Sequence, residues 1–458
     1  MTGKVVREAV APAYLFLCLT LGGSAQGIWF NALLQLLAIA IIAWAATASG
    51  EEGLGIHGRR LLAVCAAGLL IILIELIPLP PSVWTIFPGR EIVQDGYALT
   101  GQPLPWMALT LAPDDTLTTV LRLLPPAAVL AAMLRLDAYR RSWLAWALIG
   151  GTGAGVILGA LQVTSGGAAG SPWYLYPISN FGAAVGFFAN GNHMALLLVA
   201  SIPFIFALIA VGRRGQGERA LQRRSAMFTL AGGMLVVVIL GLILNKSLAG
   251  FALGLPVIAA SVGLLLPPRQ QRRWLFAPAL LLLVAVGSIF LMPASTRLQS
   301  LGASTSVESR RAVAMTGWVV AKEYMPLGSG LGSFERVYRL HEDPGPVDAT
   351  YVNHAHNDYL ELAIEAGLPG LIWVALFLAW WGSAARFRWS ESIEDPFAKA
   401  GTIASAAILA HSLVDFPLRT SALAALFAAS IGLMAHSVVR PRGKTESDIR
   451  PSRHLEIR

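Results

Sequence analysis

The sequence predicts an all-α protein that crosses a membrane about twelve times. Of its 458 residues, 55% are hydrophobic and only 13% are charged, whereas a soluble domain carries about 25% charged residues. Apolar runs long enough to cross a hydrocarbon core of about 30 Å recur along the whole chain. We predict spans near residues 9–27, 28–48, 60–80, 118–135, 143–164, 192–212, 226–245, 248–267, 274–293, 362–384, 400–416 and 420–439.

The positions of the basic residues predict how these spans are oriented. Ten of the 34 Lys and Arg lie outside one alternating set of loops, and the remaining 24 lie within that set or at the two ends of the chain. Because loops rich in Lys and Arg stay in the cytoplasm, we expect both termini there, including the tail 440–458. The net charge of +8 then reflects topology, and no nucleic-acid partner is predicted. Residues 80–117, 164–191 and 294–361 are the long segments expected on the external face.

The longest external segment, residues 294–361, is predicted to carry the functional lobe of a single membrane domain, 1–458. Its residues 308–324 have the apolar spacing of a helix, and Pro326 ends that pattern. The run "PLGSGLGS", residues 326–333, lacks the Gly-Lys-Ser/Thr ending of a P-loop. We therefore interpret it as a tight turn that needs positive φ angles.

The strongest local signal is "YVNHAHNDYLELAIEAGLPG", residues 351–370, where titratable groups gather beside a hydrophobic run. We predict Asn357 as the N-cap of the following span, with Asp358 and Glu361 in or near the first helical turn. The positive end of the helix dipole favours a neutral His356, which can accept a hydroxyl proton. The alternative is a histidine that only hydrogen-bonds the loop backbone.

A metal site is the other interpretation of this stretch. His354, His356 and Asp358 alternate as on an extended segment and lack a typical zinc spacing. Cys18 and Cys65 both lie in apolar runs, so neither a cysteine metal site nor a disulfide framework is indicated. We predict no metal and no cofactor.

Arg310 and Arg311 lie together in the same external segment. Guanidinium groups bind phosphate oxygens in a fork and stay charged at any working pH, so the pair is a candidate anion site. The alternative is a solvated helix face. Lys246 and Arg122 lie near predicted helix ends, where long basic side chains also snorkel to the membrane surface. Ionisable residues near a membrane are nevertheless functional candidates.

These segments together resemble the O-antigen ligase and polymerase superfamily of bacterial envelope membrane proteins. "HNDYLELAIEAGLPG" fits its pattern of His-Asn, nine residues, Gly, two residues and Gly. "MPLGSGLGSFERVY" and "GFFANGNHMA" are similar to two further segments of that superfamily, and "HSLVDFPL" resembles its exopolysaccharide branch. The supporting site candidates in and beside these segments are His354, Asp358, Asn192, His193 and Asp415.

The resemblance implies transfer of a glycan from an undecaprenyl-pyrophosphate carrier to an acceptor sugar hydroxyl, on a fold similar to C-type glycosyltransferases. The enzyme would be metal-independent and would work at the periplasmic face of the bacterial inner membrane. His356, with Asn357, would activate the hydroxyl. Arg311, Arg310 and Lys246 would bind the pyrophosphate, with Arg311 preferred for its spacing. Attack from the face opposite the carrier predicts inversion of the anomeric centre.

The resemblance leaves two choices open. The acceptor is a lipid in a lipopolysaccharide ligase and a carrier-linked glycan in an O-antigen or exopolysaccharide polymerase. The second phosphate ligand is also open, because Leu248 stands where the superfamily often has arginine and Lys246 offers only a point charge. A polytopic transporter is the non-enzyme alternative; it would place its polar groups near the middle of the membrane.

Overall fold

The computed structural model describes residues 2–26, 28–48, 54–166, 171–213, 218–267, 270–271, 304–342, 352–390 and 393–436. Helices make up almost all of its regular structure. A two-residue strand pair, β1 (Pro78–Leu79) and β2 (Met107–Ala108), is antiparallel, and Pro417–Arg419 form a 3₁₀ turn. The helices are α1 (Thr2–Leu21), α2 (Trp29–Thr47), α3 (Ile56–Glu75), α4 (Pro81–Trp84), α5 (Glu91–Thr100), α6 (Pro113–Leu134), α7 (Arg141–Thr164), α8 (Gly191–Gly212), α9 (Glu218–Asn245), α10 (Leu248–Gly263), α11 (Ser304–Glu323), α12 (Phe334–Arg339), α13 (Asp358–Arg388), α14 (Pro396–His411) and α15 (Ser421–Ala435).

Within the described residues, seven helical segments are long and apolar enough to cross a membrane: α2, α3, α6, α7, α8, Arg224–Asn245 of α9, and α13. Helices α10 and α15 are shorter apolar helices. The prediction of an all-α, multi-pass membrane protein is thus confirmed, whereas the number twelve is not. The predicted span 274–293 and the tail 440–458 lie outside the described residues. The span predicted over 400–416 stops earlier, since α14 ends at His411 and a turn precedes Pro417.

Helix α8 is the centre of the bundle. It is buried along most of its length and packs against α7, α9, α10 and α14. Small residues allow other helices to pack closely. For example, a Cβ on Gly401 in α14 would lie only 2.6 Å from Ser430 O in α15. Because α8 is fixed on several sides, its first residues have defined positions at one end of the bundle.

The connections between the helices form one group of contacts at each end of the bundle. At one end Arg140 pairs with Glu8, and Lys399 Nζ donates to Gln271 Oε1 at 2.7 Å. At the other end Leu111 N donates to Ser329 O at 2.8 Å, and residues of all three long loops, among them Asp115, Ser179 and Phe334, line one cleft. The segments predicted to be external therefore share one end of the molecule.

The glycine-rich turn fastens this loop assembly to α13. Gly328, Gly330 and Gly332 all have positive φ, as the interpretation of this run required. Helix α13 breaks at Gly367 (φ 54°, ψ −142°), and the turn supplies hydrogen bonds there: Gly330 N donates to Glu365 O at 2.7 Å, and Pro326 O accepts from Leu368 N at 2.8 Å. The turn is structural, because its backbone completes the kinked helix.

Gly330→Ala should destabilise the protein strongly. The residue has φ +104°, and a Cβ would lie 1.9 Å from Thr110 Oγ1, so both backbone strain of about 1–3 kcal/mol and a displacement of Thr110 are expected. The matched control is Gly96→Ala on the exposed helix α5, where nothing lies within 4 Å of a Cβ. Thermal unfolding in one detergent should show a large drop for the first and none for the second; equal melting temperatures would contradict this role of the turn.

Candidate active site

The loop before α13 presents His356 in an unusual conformation. Asn357 is the N-cap of α13, as predicted: its Oδ1 accepts from the backbone N–H groups of Tyr359 and Leu360, both at 3.0 Å. His356 itself has φ +50°, a left-handed conformation that is uncommon for a residue other than glycine. Asp358 N donates to Ser412 O at 2.9 Å, so the cap is also tied to the turn after α14. These contacts fix the position from which the imidazole extends.

The turn after α14 carries a fully buried carboxylate, Asp415. Its Oδ2 accepts a hydrogen bond from Asn192 Nδ2 at 2.7 Å, and its Oδ1 accepts from the backbone N–H of Phe416 at 2.9 Å. Asn190 Nδ2 lies 3.4 Å from the same Oδ1. Asn190 also caps α8 by accepting from Asn192 N at 2.8 Å. The carboxylate is therefore held by the first turn of the central helix.

Three groups that carry or accept protons surround Asp415. His193 Nε2 and His356 Nδ1 each lie 3.6 Å from Oδ1, and Arg310 Nη2 lies 3.6 Å from Oδ2. At that distance the contacts are electrostatic and exceed ordinary hydrogen-bond length. His193 and Asp415 are buried, whereas the side chains of Arg310 and His356 are 31% and 29% exposed. The last two therefore connect the buried carboxylate with solvent.

The electrostatics keep Asp415 ionised. Burial alone would raise the pKa of the carboxyl, but the interactions with His193, His356 and His411 lower that pKa well below its usual range. A permanent negative charge beside Nδ1 of His356 favours the tautomer that carries its proton on Nδ1. Nε2 of the imidazole is then the atom able to accept a proton. In general-base sites, too, a carboxylate lies beside one imidazole nitrogen and the other nitrogen accepts the proton.

A second cluster of charges lies beside the first. Arg419 contacts three acids of α13: Asp358 Oδ1 at 3.7 Å, Glu361 Oε1 at 3.3 Å and Glu365 Oε2 at 3.0 Å. Burial would lower the pKa of Arg419, but these carboxylates outweigh it and raise that pKa above its ordinary value. Arg419 thus ties the 3₁₀ turn to α13, and through it positions the neighbouring Asp415.

His354 belongs to this second cluster. Its Nδ1 lies 2.8 Å from Glu361 Oε1, and its ring packs on Phe416 with centroids 4.2 Å apart. By contrast, His356 Nδ1 makes no hydrogen bond within the part of the chain that the structure describes. The two histidines of the motif consequently differ: His354 is engaged in structural contacts, and His356 is the one available for chemistry.

Both clusters border an open cleft of about 710 Å³. Its walls come from the α1–α2 connection, the first half of α6, the segment before α8, α12, and the loop and first turns of α13. The side chains that can ionise and line it are Asp115, Arg122, His193, Glu335, Arg336, Arg339, His354, His356, Glu361, Glu365 and Arg419. The cleft has room for a small polar ligand beside His356.

The structure brings most of the predicted site residues together, but of the three basic candidates only Arg310 contacts the cluster around Asp415. Arg310 contacts Asp415, whereas the side chain of Arg311, the next residue of α11, is exposed. The side chain of Lys246 is exposed too and does not line the cleft. Its neighbour Ser247 instead steadies the site, since Ser247 Oγ donates to Asn192 Oδ1 at 2.8 Å. The preference for Arg311 thus remains an untested prediction, and the geometry favours Arg310.

Sequence reasoning missed Asn190 and Arg419, and it treated Arg122 only as a candidate that snorkels. The acids that bind Arg419 carry a readable signal, because positions 358, 361 and 365 fall on one face of a helix. Nothing in the sequence indicates which arginine they meet. Among the described residues, no group of three or more His, Cys, Asp or Glu side chains is arranged to hold a metal ion.

Residues 233–375 match a family model described as O-antigen ligase. The match covers α11, the glycine-rich turn and His356, and it supports the superfamily resemblance seen in the motifs. Helix α8 and the turn with Asp415 lie outside it. A comparison with curated proteins found no match.

Asp415 should make stability depend on acidity. Since the pKa of its carboxyl is depressed in the folded state, its stabilising contribution is present above the unfolded pKa of about 4 and is lost as pH falls below that value. Asp415→Asn should melt at a lower temperature at pH 7 and should show a flatter decline at acidic pH than the wild type. Asp95→Asn, on exposed α5, is the control and should follow the wild type. Parallel curves for the wild type and Asp415→Asn would contradict this role.

Proposed function

Because residues 233–375 match a family model described as O-antigen ligase, we propose that this multi-pass bacterial membrane protein transfers a glycan from an undecaprenyl-pyrophosphate carrier to an acceptor sugar hydroxyl. The observation that carries the proposal is the pairing of His356 with the buried Asp415 at the edge of an open polar cleft. In this proposal the carboxylate beside Nδ1 orients the imidazole electrostatically.

His356 acts as the general base in this proposal. Nε2 removes the proton of the acceptor hydroxyl while its oxygen forms a bond to the anomeric carbon. The bond between that carbon and the pyrophosphate oxygen breaks, and the pyrophosphate leaves with the electron pair. Asp415 stabilises the imidazolium that results. Attack opposite the leaving group inverts the anomeric centre.

Guanidinium groups stabilise the charge that develops on the pyrophosphate in this proposal. Arg310 is the first candidate, because its side chain is partly exposed and only 3.6 Å from Asp415. Arg122 is the second: it lines the cleft from within a candidate membrane span and makes a long contact of 3.5 Å with Ala25 O. Arg311 and Lys246 are the further candidates from the sequence; like Arg310, they are not among the residues that line the cleft. The reaction needs no metal in this scheme.

The acceptor decides between a ligase and a polymerase. One observation favours polymerisation: the segment that resembles the exopolysaccharide branch, residues 411–418, supplies both Asp415 and Phe416 to the site. The ligase assignment is favoured by the family match. Both reactions use the same base and the same leaving group, so the proposed mechanism is common to them.

The cleft is proposed to face the periplasm, with both termini in the cytoplasm. The support is the basic composition of the loops at the opposite end of the bundle. A reporter inserted in residues 213–225 should read cytoplasmic, and one inserted in 294–361 should read periplasmic. The reverse result would overturn the proposed location and carrier.

His356→Ala should abolish most transfer while leaving membrane insertion intact. Loss of a general base costs roughly 10²–10⁴-fold in rate. His354→Ala should retain more activity but melt at a lower temperature, because His354 contacts Glu361 and Phe416. Transfer from purified lipid-linked donor, at equal protein amounts and with a chelator present, distinguishes the two. Near-wild-type transfer by His356→Ala, or a strict need for added divalent metal, would refute the mechanism.

Arg310→Lys should lose most transfer, since a forked guanidinium contact becomes a point contact. Arg311→Lys, at the adjacent exposed position, is the matched variant and should lose less. Initial rates at saturating acceptor, measured over a range of donor concentrations, would show the difference. If Arg311→Lys were the slower enzyme, the phosphate ligand would be Arg311, as its spacing in the sequence suggests.

A further inference from the structure

Helix α11 has two apolar faces, and among the residues that the structure describes only one of them is covered by protein. The inner face buries Val313, Val320 and Ala321. Gly317 brings it close to α13, since a Cβ there would lie 3.2 Å from Leu360 and 3.5 Å from Ile364. The inner face accounts for the folding of α11 onto α13, so the second face needs a different explanation.

The second face forms a stripe of exposed apolar and basic residues. Met315, Trp318 and Val319 are 62%, 56% and 57% exposed. Arg311 and Lys322 are exposed at the two ends of the stripe, and Lys322 Nζ lies 5.4 Å from the centre of the Trp318 ring. The spacing of 311, 315, 318 and 322 places them along one side of a helix. We call these five residues the outer stripe.

The length of α13 sets the height of α11 relative to the membrane. Helix α13 has 31 residues and is therefore about 46 Å long, whereas about 20 residues cross the hydrocarbon core. Arg386 and Arg388 mark the basic end of α13. Counting about 20 residues back from them reaches the kink at Gly367. The turns before the kink, against which α11 packs, then stand in the headgroup zone.

We propose that the outer stripe binds the surface of the phospholipid bilayer. Trp318 suits the boundary between headgroups and acyl chains, with Met315 and Val319 on its apolar side. Arg311 and Lys322 would bind lipid phosphates, as basic residues beside an apolar helical face do. These two basic side chains carry the charge opposite to that of a lipid phosphate. At the end of the stripe, Glu323 Oε2 lies 2.6 Å from His341 Nε2, so this acid is engaged by a histidine outside α11.

This contact would hold the catalytic cluster at a fixed depth. Arg310 is adjacent to the outer stripe, yet it faces Asp415. One helix therefore lies between the bilayer surface and the cluster. The proposal concerns only contact with the lipid surface, and its test does not depend on whether the protein transfers glycan.

Site-specific photo-crosslinking tests the proposal. The full chain, with p-benzoyl-phenylalanine in place of Met315, is placed in nanodiscs of phosphatidylethanolamine and phosphatidylglycerol, irradiated and analysed by mass. The same probe at Leu376, an exposed residue of the α13 span, is the positive control. At Glu335, which lines the cleft, it is the negative control. Phospholipid adducts should form at 315 and 376, several-fold above the yield at 335.

Two outcomes at position 315 would overturn the proposal. A covalent dimer would show that the stripe is an interface between copies, and a lack of lipid adducts while position 376 reacts would show that the stripe does not contact lipid. A second variant tests the charges: adding Arg311→Gln and Lys322→Gln should lower the phosphatidylglycerol share of the adducts several-fold. An unchanged share would remove the phosphate contacts from the proposal.

Discussion

The geometry of the site depends on one buried carboxylate. Asp415 is fully buried, and a buried charge is costly unless other groups compensate it. The compensating groups come from α8, α11 and the loop before α13, so the ionised carboxylate requires all three segments to meet at one end of the bundle. The same carboxylate lies 3.6 Å from Nδ1 of His356, within reach of an electrostatic contact. In the proposed mechanism, one interaction therefore satisfies both a stability constraint and the catalytic arrangement.

Arg419 completes the constraint with the opposite charge. It lies four residues after Asp415 and is bound by three acids of α13. The segment 415–419 is therefore held at both ends. The groups around the Asp415 carboxylate hold its first residue, and the acids around the Arg419 guanidinium hold its last. Removing one partner of such a buried pair costs about 3–5 kcal/mol, because the other charge is left uncompensated. We infer that Phe416, within that segment, provides a rigid surface against which the rings of His354 and His356 pack.

Local features of the site could be predicted from sequence, and its long-range contacts could not. The N-cap at Asn357, the helix near 308–324 and the positive φ angles of the glycine-rich turn follow from short-range rules and are present. The choice between Arg310 and Arg311 depends on how α11 is rotated against α13, which is decided by Gly317 and its close contacts. The partner of His356 is 59 residues away in the chain. The end of α14 also came earlier than its apolar pattern suggested, and this places Asp415 in a turn at the cleft and not within a span.

A double-mutant cycle between His356 and Asp415 tests the central claim most directly. Glycan transfer would be measured for the wild type, His356→Ala, Asp415→Asn and the double variant at equal amounts of inserted protein. If Asp415 acts through the imidazole, the effects are strongly non-additive, and the double variant transfers glycan no more slowly than His356→Ala. If the two losses multiply, Asp415 and His356 act independently, and the account of the buried carboxylate as the group that orients the base is contradicted.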